Sequence, residues 1–195
     1  MRAGTYFDKL ISKSEILIIK LVNFNKMESP KISLVGKSLD DLINICETFD
    51  VERFRAEQIF NWVYKNKVND FKGLNNIPKG FINTLEKEYI IHPLSVVRSK
   101  KSPSRLTNKF LFKTQSGSLI ESVLMNEGER VTLCLSTQVG CALDCKFCAT
   151  AKMGFIENLD SGEIVDQYLL ISKNLNRPIT NIVFMGMGEP FLNYT

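Results

Sequence analysis

Three closely spaced cysteines carry the chemistry that this sequence encodes most clearly. Cys141, Cys145 and Cys148 follow one another with the spacing Cys-x3-Cys-x2-Cys, directly after Gly140. Three thiolates on one short loop can bind three irons of a four-iron cluster and leave the fourth iron open to a small molecule. Such a site is suited to catalysis rather than to crosslinking the fold.

The same thiols have two other conceivable uses. A structural zinc site needs four ligands, and the single histidine, His92, is distant in sequence, so zinc would need Cys134 as its fourth ligand. A disulfide framework is disfavoured because the number of cysteines, five, is odd. The chain also has no secretory signal and is long enough to form a core without crosslinks. Zinc therefore stays open as an alternative to an iron cluster.

The residues around the three cysteines carry a resemblance to a known superfamily. With Phe147 directly before the last cysteine, the spacing resembles the signature of the radical S-adenosylmethionine superfamily. The flanking segments narrow the resemblance, over about residues 37 to 195, to the dual-specificity RNA methyltransferases that methylate C2 of adenosine in ribosomal and transfer RNA. The segments are Cys134-Leu135-Ser136-Thr137-Gln138-Val139-Gly140, Ala142-Leu143-Asp144, Gly154-Phe155, Asn158-Leu159 and Gly186-Met187-Gly188-Glu189-Pro190.

The resemblance implies two cofactors. The three loop cysteines would hold a [4Fe-4S] cluster, and Gly188 and Glu189 match the motif that binds the amino group of S-adenosylmethionine. Glycine permits a close approach of the backbone, and a carboxylate can accept hydrogen bonds from an ammonium group. Phe147 is expected to pack near the adenine of the bound S-adenosylmethionine.

The resemblance also implies catalytic roles for Glu121 and Cys134. Glu121 matches the family's proposed proton acceptor. Cys134 matches the cysteine that resolves the RNA–protein adduct through a transient disulfide with a second, methyl-carrying cysteine. From the residues alone, Cys134 is a buried strand thiol and Glu121 a solvent-facing carboxylate. In the family, one S-adenosylmethionine methylates the second cysteine and another yields a radical, because C2 is not nucleophilic and the cofactor must supply the hard step.

The partners that the resemblance implies are 23S ribosomal RNA and transfer RNA, with an electron donor such as flavodoxin. A cytoplasmic monomer is expected. No membrane partner is expected, because the longest apolar stretch, Ile16 to Val22, is interrupted by Lys20 and is too short to cross a bilayer. An alternative from a different class is a non-catalytic RNA-interaction module that uses the same thiols for zinc.

Basic residues are unevenly distributed although the formal net charge of +4 is mild. Residues 98–113 contain several Lys and Arg and no acid. Such a run could neutralise phosphates, although taken alone it predicts a solvated loop. The resemblance favours contact with RNA. The basic residues of this run are Arg98, Lys100, Lys101, Arg105, Lys109 and Lys113.

The first half of the chain has the pattern of three helices. Ser38 and Asp41 have the spacing of a capping box, and apolar residues follow at steps of three and four, so that Cys46 is predicted to be a small buried hydrophobe. The third helix is predicted to begin near Pro78 and to end at about Tyr89, since proline suits a first turn.

The second predicted helix runs from about residue 52 to 65, with Asp50 as a candidate cap. Its sequence resembles the family's small N-terminal helical domain, and the resemblance implies that this domain contributes to RNA binding. Its aromatic residues are predicted to be core rather than base-stacking platforms. Only Arg55 and Gln58 look free to contact a partner.

After Pro93 the pattern changes to strands. Three strands are predicted at 107–114, 118–125 and 130–136, and a helix at 161–175 precedes a further strand at 180–185. The third strand delivers Cys134, and the cysteine loop begins just beyond its end, where barrels of parallel strands place functional residues.

These elements predict an α/β fold in which a small N-terminal helical domain is followed by the first strands of an incomplete radical-SAM (β/α) partial barrel. A complete barrel needs many more residues, so the chain is expected to lack the methyl-carrying cysteine and to be inactive alone. Met27 is the expected natural start. The predicted domains are a poorly ordered extension (1–36), the helical domain (37–92), a connecting β segment (93–128) and the start of the barrel (129–195).

Overall fold

The structure, a computed structural model, describes residues 30–194; the predicted start at Met27 therefore lies outside the described residues. No helix between residues 30 and 194 combines the length and apolar character needed to cross a bilayer. The elements are β1 (Ile32–Ser33), α1 (Leu39–Thr48), α2 (Phe54–Phe60), α3 (Lys79–Glu88), β2 (Tyr89–Ile90), β3 (Ser95–Lys101), β4 (Thr107–Lys113), β5 (Leu119–Glu127), β6 (Arg130–Cys134), β7 (Gln138–Gly140), β8 (Phe155–Asn158), α4 (Ser161–Ser172) and β9 (Asn181–Val183).

Helices α1 to α3 share one core. The predicted N-terminal cap is present at α1 and absent at α2. The capping box is confirmed: the Ser38 side chain accepts from the Asp41 backbone, and the Asp41 side chain accepts from the Ser38 backbone. Cys46 is fully buried, as predicted. The predicted cap Asp50 is wrong, because its φ of 53° takes it into the left-handed region and the helix begins at Phe54 without a side-chain cap.

The second predicted helix is confirmed in extent but not in regularity. After Phe60 the chain continues as a π-helix over Asn61–Lys65, which widens the last turn. The prediction that Arg55 and Gln58 are free is wrong. Arg55 donates to the Gln58 side chain at 2.8 Å and to the Asn76 carbonyl at 2.9 Å, so both are held inside the helical region.

The helical region begins before residue 37. Strand β1 pairs in parallel with β2, and Leu34 and Val35 are buried in the same core as Leu42 and Ile59. Residues 32–36, assigned to the extension by the sequence, therefore pack as part of the helical region. This pairing joins segments far apart in sequence, and no local pattern signals it.

Five strands form one sheet in the order β3-β4-β5-β6-β9. The pairs from β3 to β6 are antiparallel, and β6 pairs with β9 in parallel. The predicted strand–helix–strand unit is thus present as β6-α4-β9. Strand β3 was not predicted, and its seven residues are all exposed. The expectation of a solvated loop is wrong for Arg98, Lys100 and Lys101, which lie on this edge strand.

The sheet has two faces, because side chains alternate along each strand. One, here called the α4 face, carries the buried residues Ile120, Ser122 and Leu124 of β5 and contributes to the core that includes Ile171 of α4. The other, here called the Glu121 face, carries Glu121 and Val123. Residues paired across strands lie on the same face, so pairing of Val123 with Cys134 puts Cys134 on the Glu121 face.

A buried ion pair joins the helical region to the sheet region. His92 Nδ1 pairs with Asp166 Oδ1 of α4, and His92 Nε2 donates to the Val68 carbonyl at 2.7 Å. The Leu94 amide donates to the second Asp166 oxygen at 3.1 Å. Burial on its own would lower the pKa of His92, but the hydrogen bond and charge of Asp166 outweigh it, so the pKa of His92 is raised.

Candidate functional site

The cysteine loop is closed at its base by a two-stranded hairpin. Strand β7 enters the loop and β8 leaves it, and the two pair antiparallel. The Cys141 amide donates to the Gly154 carbonyl at 3.1 Å. A Cβ on Gly140 would lie 1.8 Å from that carbonyl oxygen, so only glycine fits at the entry to the loop. The hairpin therefore fixes the position of the first cysteine.

The three thiols differ in exposure. Cys141 is buried, whereas Cys145 and Cys148 are half-buried. The Leu143 amide donates to Cys141 Sγ at 3.4 Å, and the Cys148 amide donates to the Cys145 carbonyl at 2.9 Å. Between residues 30 and 194, no three His, Cys, Asp or Glu side chains are grouped closely enough to hold a metal ion. The three thiols therefore lie on one loop, but the structure does not place them within reach of a single metal ion.

All five cysteines lie among the described residues, and each is a free thiol. The disulfide expected from the resemblance is therefore not supported by this structure. Cys134 ends β6 and is 8% exposed. Burial raises the pKa of its thiol, and a hydrogen bond to the Met185 backbone offsets part of that rise. Burial therefore favours the protonated thiol and makes Cys134 a weaker acid than an exposed cysteine.

The segment Gly186 to Pro190 lies directly beside the approach to the cysteine loop. The Met187 carbonyl accepts from the Thr137 and Gln138 amides at 2.9 and 3.2 Å, and the Met187 amide donates to Ser136 Oγ at 2.8 Å. The Gly186 amide donates to the Leu135 carbonyl at 3.0 Å. The two motifs that the sequence singled out separately are therefore neighbours.

Gly188 and Glu189 are held against β7 by one buried side chain. Gln138 is 1% exposed; its Oε1 accepts from the Glu189 amide at 2.9 Å, and its Nε2 donates to the Asn158 side chain at 2.8 Å. Gly188 has a φ of 99°, and a Cβ there would lie 2.6 Å from Gln138 Cβ. The Glu189 carboxylate accepts from the Phe191 amide and caps a short 3-10 turn.

Phe147 is 95% exposed, so it packs against none of the described residues to any extent. Leu143 of the same loop and Phe155, Ile156 and Met185 are large apolar side chains that are also exposed. The Phe147 ring is therefore available to contact a ligand or another surface.

Glu121 lies two residues along β5 from the position opposite Cys134. Its carboxylate forms an ion pair with Lys109 on β4, with Nζ to Oε2 at 2.9 Å, and both side chains are mostly buried. Its backbone carbonyl accepts from Ser136 Oγ at 2.6 Å. The fold thus places the two sequence-predicted catalytic residues on one face of the sheet, and Glu121 is a paired carboxylate rather than the solvent-facing one that its pattern indicated.

The sequence patterns did not single out two buried polar residues of this region, Gln167 and Ser122. Gln167 of α4 accepts from Ser122 Oγ at 2.7 Å and from the Ser136 amide at 2.9 Å, and it donates to the Ser136 carbonyl at 2.9 Å. Together with Gln138, these residues fix β5, the Met187 segment and β7 relative to one another. The sequence did offer one signal for Gln167: it is a glutamine on the side of α4 that otherwise faces the core.

The donor set fits the two groups that the resemblance implies. Three thiolates on one loop are the donors that an iron–sulfur cluster takes, whereas a closed zinc site takes four ligands. Thr137 Oγ1 is buried without a hydrogen-bond partner among residues 30–194, next to the Met187 carbonyl. A buried hydroxyl in that position suits a polar ligand beside Gly188 and Glu189.

Comparisons with known proteins agree with this arrangement. Residues 32–91 match the family model described as the ribosomal RNA large subunit methyltransferase N-terminal domain. The probable dual-specificity RNA methyltransferase RlmN of Thermotoga neapolitana is 42% identical over 162 residues, which cover 83% of this chain and 47% of that protein. The corresponding protein of Aquifex aeolicus is 42% identical over 158 residues, 80% of this chain and 45% of its own length.

A solved structure gives the same result for the fold. The crystal structure of a radical SAM methyltransferase from Sphaerobacter thermophilus superposes with a TM-score of 0.80 at 40% sequence identity. The superposition covers 84% of this chain and 49% of that one. The mixed α/β architecture, with its helical region followed by sheets, therefore matches part of that structure. The chain spans about half the length of the curated relatives it matches.

Proposed function

We propose, from the membership of this chain in the RlmN family of dual-specificity RNA methyltransferases, that the protein to which it belongs adds a methyl group to C2 of adenosine in 23S ribosomal RNA and transfer RNA. The observation that carries the proposal is the contact between two motifs. The Met187 segment is hydrogen-bonded along Ser136 to Gln138, directly before the cysteine loop.

The three loop cysteines would hold the [4Fe-4S] cluster. When bound, that cluster supplies the electron that converts S-adenosylmethionine into a carbon-centred radical, which is the step that protein side chains cannot provide. The protein's own contribution begins with the hairpin base, where Gly140 and Gly154 hold Cys141 in place. Cys145 and Cys148 are half-buried and Phe147 is exposed, so all three remain accessible to the groups that they would bind.

Gly188 and Glu189 would bind the amino group of S-adenosylmethionine. The absence of a side chain at Gly188 leaves its backbone accessible, and the Glu189 carboxylate is an acceptor for an ammonium group. Gln138 positions both through the Glu189 amide. Thr137 Oγ1 offers a further polar contact, and Phe147 would pack on the adenine.

Cys134 and Glu121 would handle the proton that leaves the adduct. Cys134 is a protonated thiol whose sulfur faces the same side of the sheet as Glu121. Glu121 would accept the proton of the adenine carbon, and Lys109 would hold its carboxylate in place. Cys134 would then lose its proton and attack the sulfur of the methyl-carrying cysteine. The bond between that sulfur and the carbon joined to the RNA would break as the transient disulfide forms, and the released carbon would take up a proton to become the methyl group.

The remaining features follow from the same assignment. The β6-α4-β9 unit would be the first part of a partial barrel, with the Glu121 face directed to its inside, as in barrels whose active residues lie at the carboxyl ends of strands. The same proposal includes domain boundaries at residues 93 and 129, a cytoplasmic monomer and an electron donor such as flavodoxin.

Deletion of the gene tests the proposed function. Total 23S ribosomal RNA and transfer RNA from the deletion strain would be digested and analysed for 2-methyladenosine by mass spectrometry. We expect loss of 2-methyladenosine from one or both RNAs and its return on complementation with the natural gene but not with the Cys145→Ser variant. An unchanged level in the deletion strain contradicts the proposal.

A further inference from the structure

We propose that Arg98 and Lys100 of edge strand β3 bind the phosphates of the RNA strand whose adenosine reaches Glu121 and Cys134. This inference rests on the proposed function and adds to it the surface on which the RNA lies. The sequence showed a basic run in residues 98–113 but could not show which of its side chains share a face with the candidate catalytic residues.

The strand register supplies that information. Lys100 pairs with Lys109, and Lys109 contacts Glu121 across β4 and β5, so Lys100 lies on the Glu121 face. Arg98 is two residues away on β3, pairs with Leu111, and lies on the same face. A single face therefore carries Arg98, Lys100, Lys109, Glu121 and Cys134 across four neighbouring strands. Lys101 pairs with Asn108 and points to the opposite face.

The β-bulge in β3 sets this arrangement. The register shifts between Val96 and Arg98, so one additional residue on β3 is accommodated there. Without the bulge, a one-residue shift would turn Arg98 and Lys100 to the other face and Lys101 to the Glu121 face. The position of the positive charge relative to Cys134 thus depends on the fold and is not fixed by composition.

The charge of the surface fits a polyanion. No Asp or Glu lies between Glu88 and Glu121 in the sequence. All of β3 is exposed, and neither Arg98 nor Lys100 takes part in an ion pair with any described residue. Residues two positions apart on a strand are separated by about 6.6 Å, so Arg98 and Lys100 can contact neighbouring phosphates of one RNA strand. RNA is favoured over an acidic protein because the same face carries Glu121 and Cys134, to which the proposed function assigns an RNA adenosine.

Matched variants of adjacent residues test the surface. The 195-residue protein and its Arg98→Gln, Lys100→Gln and Lys101→Gln variants would be titrated with a short RNA stem-loop carrying unpaired adenosines, between about 50 and 200 mM salt. Each variant removes one exposed charge from the same strand. Thermal unfolding would check that all four proteins fold equally, which is expected because every changed side chain is exposed.

We expect Arg98→Gln and Lys100→Gln each to weaken binding by about three- to tenfold at low salt and to reduce the salt slope by about 0.7 to 0.9. Lys101→Gln should leave both unchanged. Equal effects of Lys100→Gln and Lys101→Gln, or no salt-dependent binding by the unmodified protein, would overturn the inference. The 2-methyladenosine assay is independent of this result, so failure of the surface and failure of the proposed function can be told apart.

Discussion

The α4 face and the Glu121 face alternate residue by residue along β5, and they differ in what covers them. On the α4 face, Ile120, Ser122 and Leu124 are buried, and the single polar group among them, Ser122, is bonded to Gln167. On the Glu121 face, the neighbouring residues of the same strand are only half-buried. Positive charges, a paired carboxylate and a thiol lie there instead.

The difference separates the part of the sheet that packs as core from the part to which the proposal assigns the chemistry. The α4 face satisfies the ordinary requirements of a core, with apolar contacts and bonded polar groups. The Glu121 face and the adjacent cysteine loop keep free thiols and large exposed apolar groups such as Phe147 and Met185. Such exposure costs stability and is typical of surfaces that contact ligands.

Two serine substitutions at cysteines give the largest contrast. Cys145→Ser should remove most of the iron bound after anaerobic reconstitution and leave the unfolding temperature of the metal-free protein almost unchanged, because the side chain is half-buried on a loop. Cys46→Ser should retain the iron but lower the free energy of unfolding by about 1 to 3 kcal/mol, because a hydroxyl would be buried in the helical core. Iron analysis and thermal unfolding of both variants measure the two effects. Loss of iron in both would contradict the division.

A second pair compares the two faces directly. Leu133→Ala on the α4 face should lower the free energy of unfolding by about 3 kcal/mol, since a fully buried leucine leaves a cavity. Val123→Ala on the Glu121 face should cost about 1 kcal/mol, since the side chain is smaller and half-buried. Denaturant titration of both variants checks the prediction. Similar costs would mean that the Glu121 face is also a packed core.

The buried polar network should have an intermediate effect. Gln167→Leu removes three hydrogen bonds: one from the Ser122 hydroxyl and two with the backbone of Ser136. It should lower the free energy of unfolding by about 2 kcal/mol, because the buried partners are left unsatisfied. Gln115→Leu, at an exposed position in the β4–β5 turn, is the control and should change stability by less than about 0.5 kcal/mol. Equal stability of the two variants in urea would show that the network is dispensable.

The smallest effect concerns pH. Burial raises the pKa of Glu163, in the first turn of α4, to about 7. Because this pKa is above the ordinary value, the folded state binds the proton more tightly; the resulting stability is complete below pH 4.5 and is lost as the pH rises to about 7.

The Glu163→Gln variant keeps an acceptor for the Asp160 amide but cannot ionise. The loss of stability on raising the pH should therefore be smaller by about 1 kcal/mol than in the unmodified protein, a figure that allows for the partial exposure of Glu163. Unfolding measured at several pH values between about 5 and 7 tests this. His92 contributes in the same direction at higher pH, since its pKa is also raised, and that part should persist in the variant. An unchanged pH profile would contradict the assignment to Glu163.

Local patterns predicted the elements that depend on local rules. The Ser38 capping box, the buried Cys46 and the alternating strands β4 and β5 needed only spacing and period. The unit β6-α4-β9 followed from the same patterns, although α4 ends at Ser172 and β9 at Val183, both earlier than predicted.

Features that depend on distant partners could not be predicted. Strand β3 has the sequence Ser-Val-Val-Arg-Ser-Lys-Lys and no apolar alternation, so its pairing with β4 alone makes it a strand. The side chain of Arg55 appeared free because its partner, the Asn76 carbonyl, is 21 residues away. For the site, the sequence and the resemblance named the thiols, Glu121 and the Gly188-Glu189 pair, but the positioning by Gln138 depends on the tertiary hairpin.

The most direct test of the central claim is the composition of the protein after anaerobic reconstitution with iron and sulfide. The claim is that three thiols bind a cluster and leave one iron for S-adenosylmethionine. It predicts about four irons and four sulfides per chain, a brown visible spectrum, and an electron paramagnetic resonance signal of the reduced protein that changes when S-adenosylmethionine is added. A colourless protein that holds zinc, or a cluster whose signal ignores S-adenosylmethionine, would contradict it.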